Sequence, residues 1–241
     1  MLERLAMEAP RFFAPHNLAL LLEAMGMTLA LTVVGCVLGF LLAFGIVFLR
    51  QTPGRLALPI RFMAIFYVEI FRRIPFLVVT YLVLFFIQAF VNNASLFAIA
   101  VIAICIYSTA YTADIIRGGF ESVARQQTEA AAAMNFSRWQ TLVSVIIPQS
   151  WPVILPPAVA FAVGFIKDTA LVSQVGVFEL TFRAKEMNNE GFSALLVFGT
   201  TALLYFAMSY PLSRWGRWLE QRLASSPSKR SQQRLRPAHR S

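Results

Sequence analysis

Charge is scarce in this sequence. Asp, Glu, Lys and Arg make up 14% of its 241 residues, against ~25% in an ordinary soluble domain. Cysteine is scarcer: Cys36 and Cys105 are the only two, both inside apolar runs. That count allows neither a disulfide framework nor a cysteine metal site, and it reads as small buried side chains. The two histidines, His16 and His239, lie outside every long apolar run. No G-x-x-x-x-G-K-[ST] occurs, so the chain is not expected to hydrolyse ATP itself. With no nucleophile–base constellation either, an enzyme is not indicated.

Apolar surface is what the sequence has in excess. The apolar set reaches 58%, above the usual ~45–50%, and mean hydropathy is +0.64. A soluble domain of this size leaves too much surface exposed to hide that composition. The chain therefore reads as a membrane protein. Spanning helices need ~20 mostly apolar residues. Uncharged runs supply them at 24–49, at 74–113, at 139–166 and at 191–213. The second run is too long for one helix, and Asn92-Asn93 divides it into about 74–91 and 95–113. The third carries Pro148, Pro152, Pro156 and Pro157. Its helix is expected to begin near Pro148, because proline is tolerated in a first turn. The expectation is an all-α integral membrane bundle of five transmembrane helices. A further apolar stretch, 170–178, is too short to cross and is expected to be re-entrant or interfacial. The N-terminal segment carries acids and prolines and does not resemble a cleavable signal peptide.

Five spans put the termini on opposite sides, and the positive-inside rule orients them. With the C-terminus inside, sixteen of the twenty-one Lys and Arg lie on the inner side. The expected orientation is N-out, C-in. The net charge of +9 does not point to nucleic acid, because eight bases fall between Arg214 and Ser241 against one acid, Glu220. A basic tail after an apolar segment is the inner flank of a membrane helix, with anionic lipid as its partner. It is expected to be unstructured from about Ser225.

The loop of about 118–148 has strong helical punctuation. Ser122 to Met134 is rich in Ala, Gln and Glu, good helix formers. Asn135 stands where a helix would stop in a left-handed conformation. Ser137 and Gln140 have capping-box spacing. The pattern predicts helix, tight turn, helix. The polar face offers Gln126, Gln127, Thr128 and Glu129 with one base, Arg125. A helix lying on lipid would show more Lys and Arg, so docking to another protein is favoured.

Glu129-Ala130-Ala131, Asn135 and Val145-Ile146-Ile147-Pro148 resemble the EAA loop of ABC importer permeases, E-A-A, three residues, G, nine residues, I-x-L-P. The spacing matches at every anchor. Asn for Gly at 135, Val for Ile at 145 and Ile for Leu at 147 are departures. Three further stretches are similar to the polar amino acid branch: Tyr67-Val68-Glu69-Ile70-Phe71-Arg72 with Pro75, then Arg117-Gly118-Gly119, then Lys167-Asp168-Thr169-Ala170-Leu171-Val172-Ser173 leading to Gly176-Val177 and Glu179-Leu180. Arg73-Ile74 departs from the Gly-Thr usual there. The similarity covers about residues 18–220, leaving 1–17 as an external segment and 221–241 as a cytoplasmic tail.

The resemblance implies a type I ABC importer permease fold in a bacterial inner membrane. It implies two copies of a cytoplasmic ATPase that uses ATP and Mg, a second permease subunit, identical or related, and an external substrate-binding protein. No cofactor is implied for this chain. Glu129, Ala130, Ala131, Asn135, Ile147 and Pro148 would form the coupling loop. Glu69 and Arg72 would lie near the cytoplasmic gate. An opine or a compatible solute remains an alternative to a polar amino acid, and a stand-alone secondary transporter an alternative class.

From the residues themselves, intramembrane polar groups are the candidates for a substrate path. Tyr107, Tyr111 and Asp114 share one helical face at i, i+4 and i+7. Asp114 either serves the path or pairs with Arg117. Glu69 pairs with Arg72 or Arg73. Lys167 and Asp168, with Thr169 beside them, either offer both charges to a zwitterion or neutralise each other. Thr28 and Thr32 are expected to bond their own backbone.

Overall fold

The computed structural model describes residues 2–52 and 54–224. The basic tail from Ser225 lies outside the described residues, as does the expectation about its order. Ten α-helices account for the fold, and no strand occurs among the described residues.

Helix α1 (Leu2–Phe12) precedes the long α2 (Pro15–Gln51). Pro15 opens α2, where a missing N–H costs nothing. Helices α3 (Leu58–Phe71) and α4 (Phe76–Phe90) follow, then α5 (Leu96–Glu121). Asn93 holds a left-handed φ of 62° between α4 and α5, the break that Asn92-Asn93 predicts. Helices α6 (Arg125–Ala133) and α7 (Arg138–Thr141) form the loop. Then come α8 (Ile147–Asp168), α9 (Leu180–Asn189) and α10 (Ala194–Ala224).

Four stretches are long and apolar enough to cross a membrane, 15–51, 96–121, 138–175 and 194–223, and the bent pair α3–α4 passes the same test when its two helices are taken together. Helix α4 fills the expected 74–91 stretch as one helix, and α3, which no expectation covers, meets it at 116°. Pro75 at the junction forces the residue before it out of the helical region and caps α4.

The fourth span does not begin at Pro148. It begins at Arg138 and runs through a π-turn at Leu142–Ile146. Pro148 has no N–H to offer the carbonyl four residues back, so the helix widens just before it. In the stretch 170–178, Thr169–Val175 extends α8 as a 3-10 turn and ends at Gly176, whose φ is 83°.

Helices α2 and α5 run parallel. Gly35 lies against Ile104 and Gly39 against Ser108, a constant offset. Ser108 Oγ donates to the Gly35 carbonyl at 3.1 Å. Glycine at i and i+4 lets two backbones approach closely, the arrangement favoured where lipid supplies no hydrophobic drive. Helices α8 and α10 run antiparallel, since Val159 meets Gly216 toward the end of α10 while Ile166, further along α8, shares a core cluster with Val197 and Met208 nearer the start of α10. The loop and the end of α10 thus share one face of the bundle. Helix α1 shares the other with the α9–α10 turn, where the Ser193 N–H donates to Glu8 at 2.8 Å and Phe12 stacks edge-on to Phe192.

Buried residues form three layers down the bundle. Phe12, Leu21, Leu180 and Met187 belong to the first, Leu31, Ile104 and Phe165 to the second, and Val47, Ile116 and Ile154 to the third. The outer wall is apolar, with Phe62, Phe85, Phe86 and Leu203 exposed, as lipid-facing surfaces are.

Candidate functional site

The loop has the predicted form. Helix α6 ends on Asn135, whose φ is 59°. The Phe136 N–H bonds the Ala131 carbonyl and the Asn135 N–H bonds the Ala132 carbonyl, each at 3.0 Å. This is the paired closure of a Schellman turn with Asn in the usual glycine place. The Ser137–Gln140 capping box is complete, at 3.3 Å and 2.8 Å. The turn angle is thus fixed by four hydrogen bonds.

The alanines do not share one environment. Gln126, Glu129, Ala130 and Ala133 lie at i, i+3, i+4 and i+7 and are exposed. Glu129 is held by Arg125 at 2.8 Å on the same surface. Ala131 is buried at 1% exposure and seats α6 on the bundle. Of the expected coupling-loop residues, Ala131 is therefore the one turned inward, away from the Glu129 surface. Ile147 is half-buried against the third core layer and Pro148 is exposed at the start of α8. The next residue, Gln149, donates to Gln127 of α6 at 3.3 Å, which ties the start of α8 to the loop.

A second cluster lies within the bundle. Tyr107 and Tyr111 share a face of α5, and their hydroxyls are 3.2 Å apart. Tyr111 Oη donates to the Arg72 carbonyl at 3.2 Å. The Arg72 guanidinium lies 5.7 Å from the Tyr111 ring centre and pairs with Asp114 at 2.8 Å. Asp114 also takes Arg117 at 2.8 Å, so it pairs across to the α3–α4 junction and at i+3 together. Phe76, Phe161 and Phe165 complete an aromatic stack with Tyr107 and Tyr111, centroids 4.8–5.8 Å apart. The stack joins α4, α5 and α8 beside the α3–α4 junction that carries Arg72.

Glu69 pairs with Arg73 at 2.8 Å, not with Arg72. Lys167 and Asp168 are both exposed and form no ion pair with each other. Helix neighbours at i and i+1 do not face each other, so self-neutralisation is corrected. They lie about 10 Å further along α8 than Phe161, by the rise of ~1.5 Å per residue. Thr169 is buried and donates to the Ile166 carbonyl at 2.7 Å, so it offers nothing to a ligand.

A third cluster has no role in the sequence reading. Glu179 is fully buried ahead of α9. Its carboxylate accepts from the Phe182 N–H at 2.8 Å and from Tyr205 Oη at 2.7 Å. Thr28 Oγ1 accepts from the Leu180 N–H at 3.1 Å and also bonds its own helix at Ala24. Thr28 is thus more than a packing residue: it ties α2 to α9, while Tyr205 ties α10. Burial pushes the Glu179 carboxyl up from its ordinary value, against hydrogen bonds that pull it down. The signal available in sequence was an acid just ahead of a helix, with Thr and Tyr isolated in apolar spans.

Residues 35–225 match the family model described as binding-protein-dependent transport system inner membrane component. The glutamine transport system permease protein GlnP of Escherichia coli (strain K12) is 33% identical over 206 residues, 85% of this chain and 93% of its own. The L-cystine transport system permease protein TcyB of Bacillus subtilis (strain 168) is 32% identical over 197 residues, 81% and 83% of the two chains. A solved amino acid ABC transporter with histidines superposes with a TM-score of 0.77 at 29% identity, over 86% of this chain and 95% of that one. An inward-facing structure of the MetNI methionine ABC transporter gives 0.76 at 20% identity, over 88% and 99%, a likeness of fold.

Proposed function

The chain belongs to the family of binding-protein-dependent transport system inner membrane components, and from that membership we propose that it is the membrane subunit of an ATP-driven importer carrying a polar amino acid into the cytoplasm. As a permease subunit it is a transport component and not a catalytic one. Its relatives' names support the amino acid class. Two copies of a cytoplasmic ATPase would supply ATP and Mg chemistry. A second permease subunit and an external binding protein would complete the assembly, in a bacterial inner membrane, N-out and C-in.

The observation that carries this reading is how the loop is built into the bundle. Helix α6 follows α5 after three residues, and α7 runs into α8 through the π-turn. The two helices attached to the loop are those that carry Tyr107, Tyr111 and Asp114 on one side and Phe161 and Phe165 on the other. Force applied at the Gln126–Ala133 face would reach both walls of the aromatic cleft. Through Asp114–Arg72 it would also reach the α3–α4 bend. Arg72, half-neutralised by Asp114, offers a cation for a substrate carboxylate. The exposed Asp168 offers an anion for an amine further along.

The test is purification of the full chain from its native membrane, followed by reconstitution with the subunits that accompany it. The expected result is a co-purifying ATPase whose hydrolysis rises with an amino-acid-loaded binding protein. Uptake by the chain alone, driven by an ion gradient, would overturn the proposal. Stimulation by an opine or compatible solute only would overturn the substrate class and leave the importer standing.

A further inference from the structure

A cavity of about 370 Å³ opens at the loop face between the ends of α2 and α5 and the start of α3, lined by Arg50, Gln51, Arg61, Arg117 and Glu121. Its size is within the ~300–1,000 Å³ of small-molecule sites. Arg117 is already committed, to Asp114 at 2.8 Å and Glu121 at 2.7 Å. Arg50 and Arg61 have no ion-pair partner among the described residues. The nearby acid on α3, Glu69, is held by Arg73.

Arg50 has a local reason to be there, since the last turn of a helix favours a cation. Arg61 does not. It lies ten residues before the C-terminal end of α3, out of reach of the dipole that favours a cation there. Its Nε is buried without a hydrogen-bond partner. Guanidinium stays charged and carries its donors in a fixed fork. A buried donor of that kind needs an acceptor, and the best match to two such forks is a phosphate.

The surroundings of the cavity select the source of that phosphate. Leu58, one turn before Arg61 on the same helical face, is 55% exposed, and Ile65, one turn after it, lines the cavity. A ligand here meets a basic pocket at one end and a lipid-facing apolar wall at the other. Basic pockets between transmembrane helices hold anionic lipid head groups. We propose that Arg50 and Arg61 form a binding site for the phosphate of an anionic phospholipid, whose acyl chains lie along the exposed face of α3. The site needs only that the bundle spans a membrane, and so it is independent of which face is cytoplasmic and of the transported substrate.

Native mass spectrometry of the full chain in mild detergent tests this. Phosphatidylglycerol and phosphatidylcholine of matched chains would be titrated separately, and inorganic phosphate added as competitor. Phosphatidylglycerol should be retained over phosphatidylcholine. Arg50→Gln with Arg61→Gln should weaken that retention about tenfold or more, since charge-assisted bonds contribute ~1.5–3 kcal/mol. Arg55→Gln, at an exposed arginine outside the cavity, should change nothing. Arg61→Lys keeps the charge without the Nε donor, should leave the fold intact and should show an intermediate loss. Equal lipid retention by wild type and the double variant would overturn the site. Saturation by inorganic phosphate that displaces the lipid would overturn the lipid as ligand. Unchanged lipid binding with loss of a co-purifying ATPase would reassign the arginines to protein docking.

Discussion

Two neighbouring alanines in α6 separate coupling from folding. Ala130 is exposed while Ala131 is at 1%, and no sequence pattern distinguishes them, because both sit in a run of four. Ala130→Trp should leave thermal unfolding unchanged, as Trp is acceptable in an exposed helix, and should abolish ATPase co-purification and transport. Ala131→Trp should instead lower stability by ~1–3 kcal/mol through overpacking, read as a fall in melting temperature before any partner is added. If Ala130→Trp transports normally, the exposed face is not the coupling surface. Glu179 makes a second prediction at this scale. Burial raises its folded pKa above the ordinary 4.5. The native state then binds its proton more tightly than the unfolded chain. That contribution to stability is complete below about pH 4.5 and declines as pH rises through the raised folded value. The melting temperature of the wild type in detergent should fall across that window, and Glu179→Gln should flatten this dependence. An identical pH profile in the variant would remove Glu179 as its source.

At the scale of elements, legibility followed local information. The Asn135 turn and the Ser137–Gln140 box were readable because each is set by residues within four positions of one another. Helix α3 was not, because Arg61, Glu69 and Pro59 interrupt its apolar signal and its length falls short of a span. The π-turn was missed because Pro148 marks an interruption without saying which side yields. The Arg72–Asp114 pair joins residues 42 apart in sequence across the α3–α4 bend, and no spacing rule reaches that far. The α2–α5 seam is the element contact with the clearest test. At Gly39 an added Cβ would collide with Ser108 Oγ. Gly39→Ala should therefore destabilise the bundle by about 1–3 kcal/mol, and Gly39→Ala with Ser108→Ala should regain part of the loss by removing the colliding atom. The two changes should be non-additive in thermal unfolding, as contacting residues are. Strict additivity would mean that the seam is looser than its geometry.

For the whole molecule, the odd number of crossings and the strong bias of positive charge were legible, and the folded chain adds a geometric constraint that charge counting lacks. Helices α2 and α5 are parallel, α8 and α10 antiparallel, and α1 is bonded to the α9–α10 turn. The loop and the end of α10 must therefore lie on one side, and α1 with the α9–α10 turn on the other, whatever the absolute orientation. Orientation then reduces to one binary choice. Eleven of the sixteen bases among the described residues belong to the loop side, and translocating them outward would oppose the bias that sets topology. A reporter fused after Ala224 should read as cytoplasmic and one inserted at Glu190 as external. Both reporters must change together if the orientation is wrong, because the fold ties their sides. A result in which both read as cytoplasmic would contradict the fold itself, and a clean reversal would put the Glu129 face outside, where no ATPase could reach it.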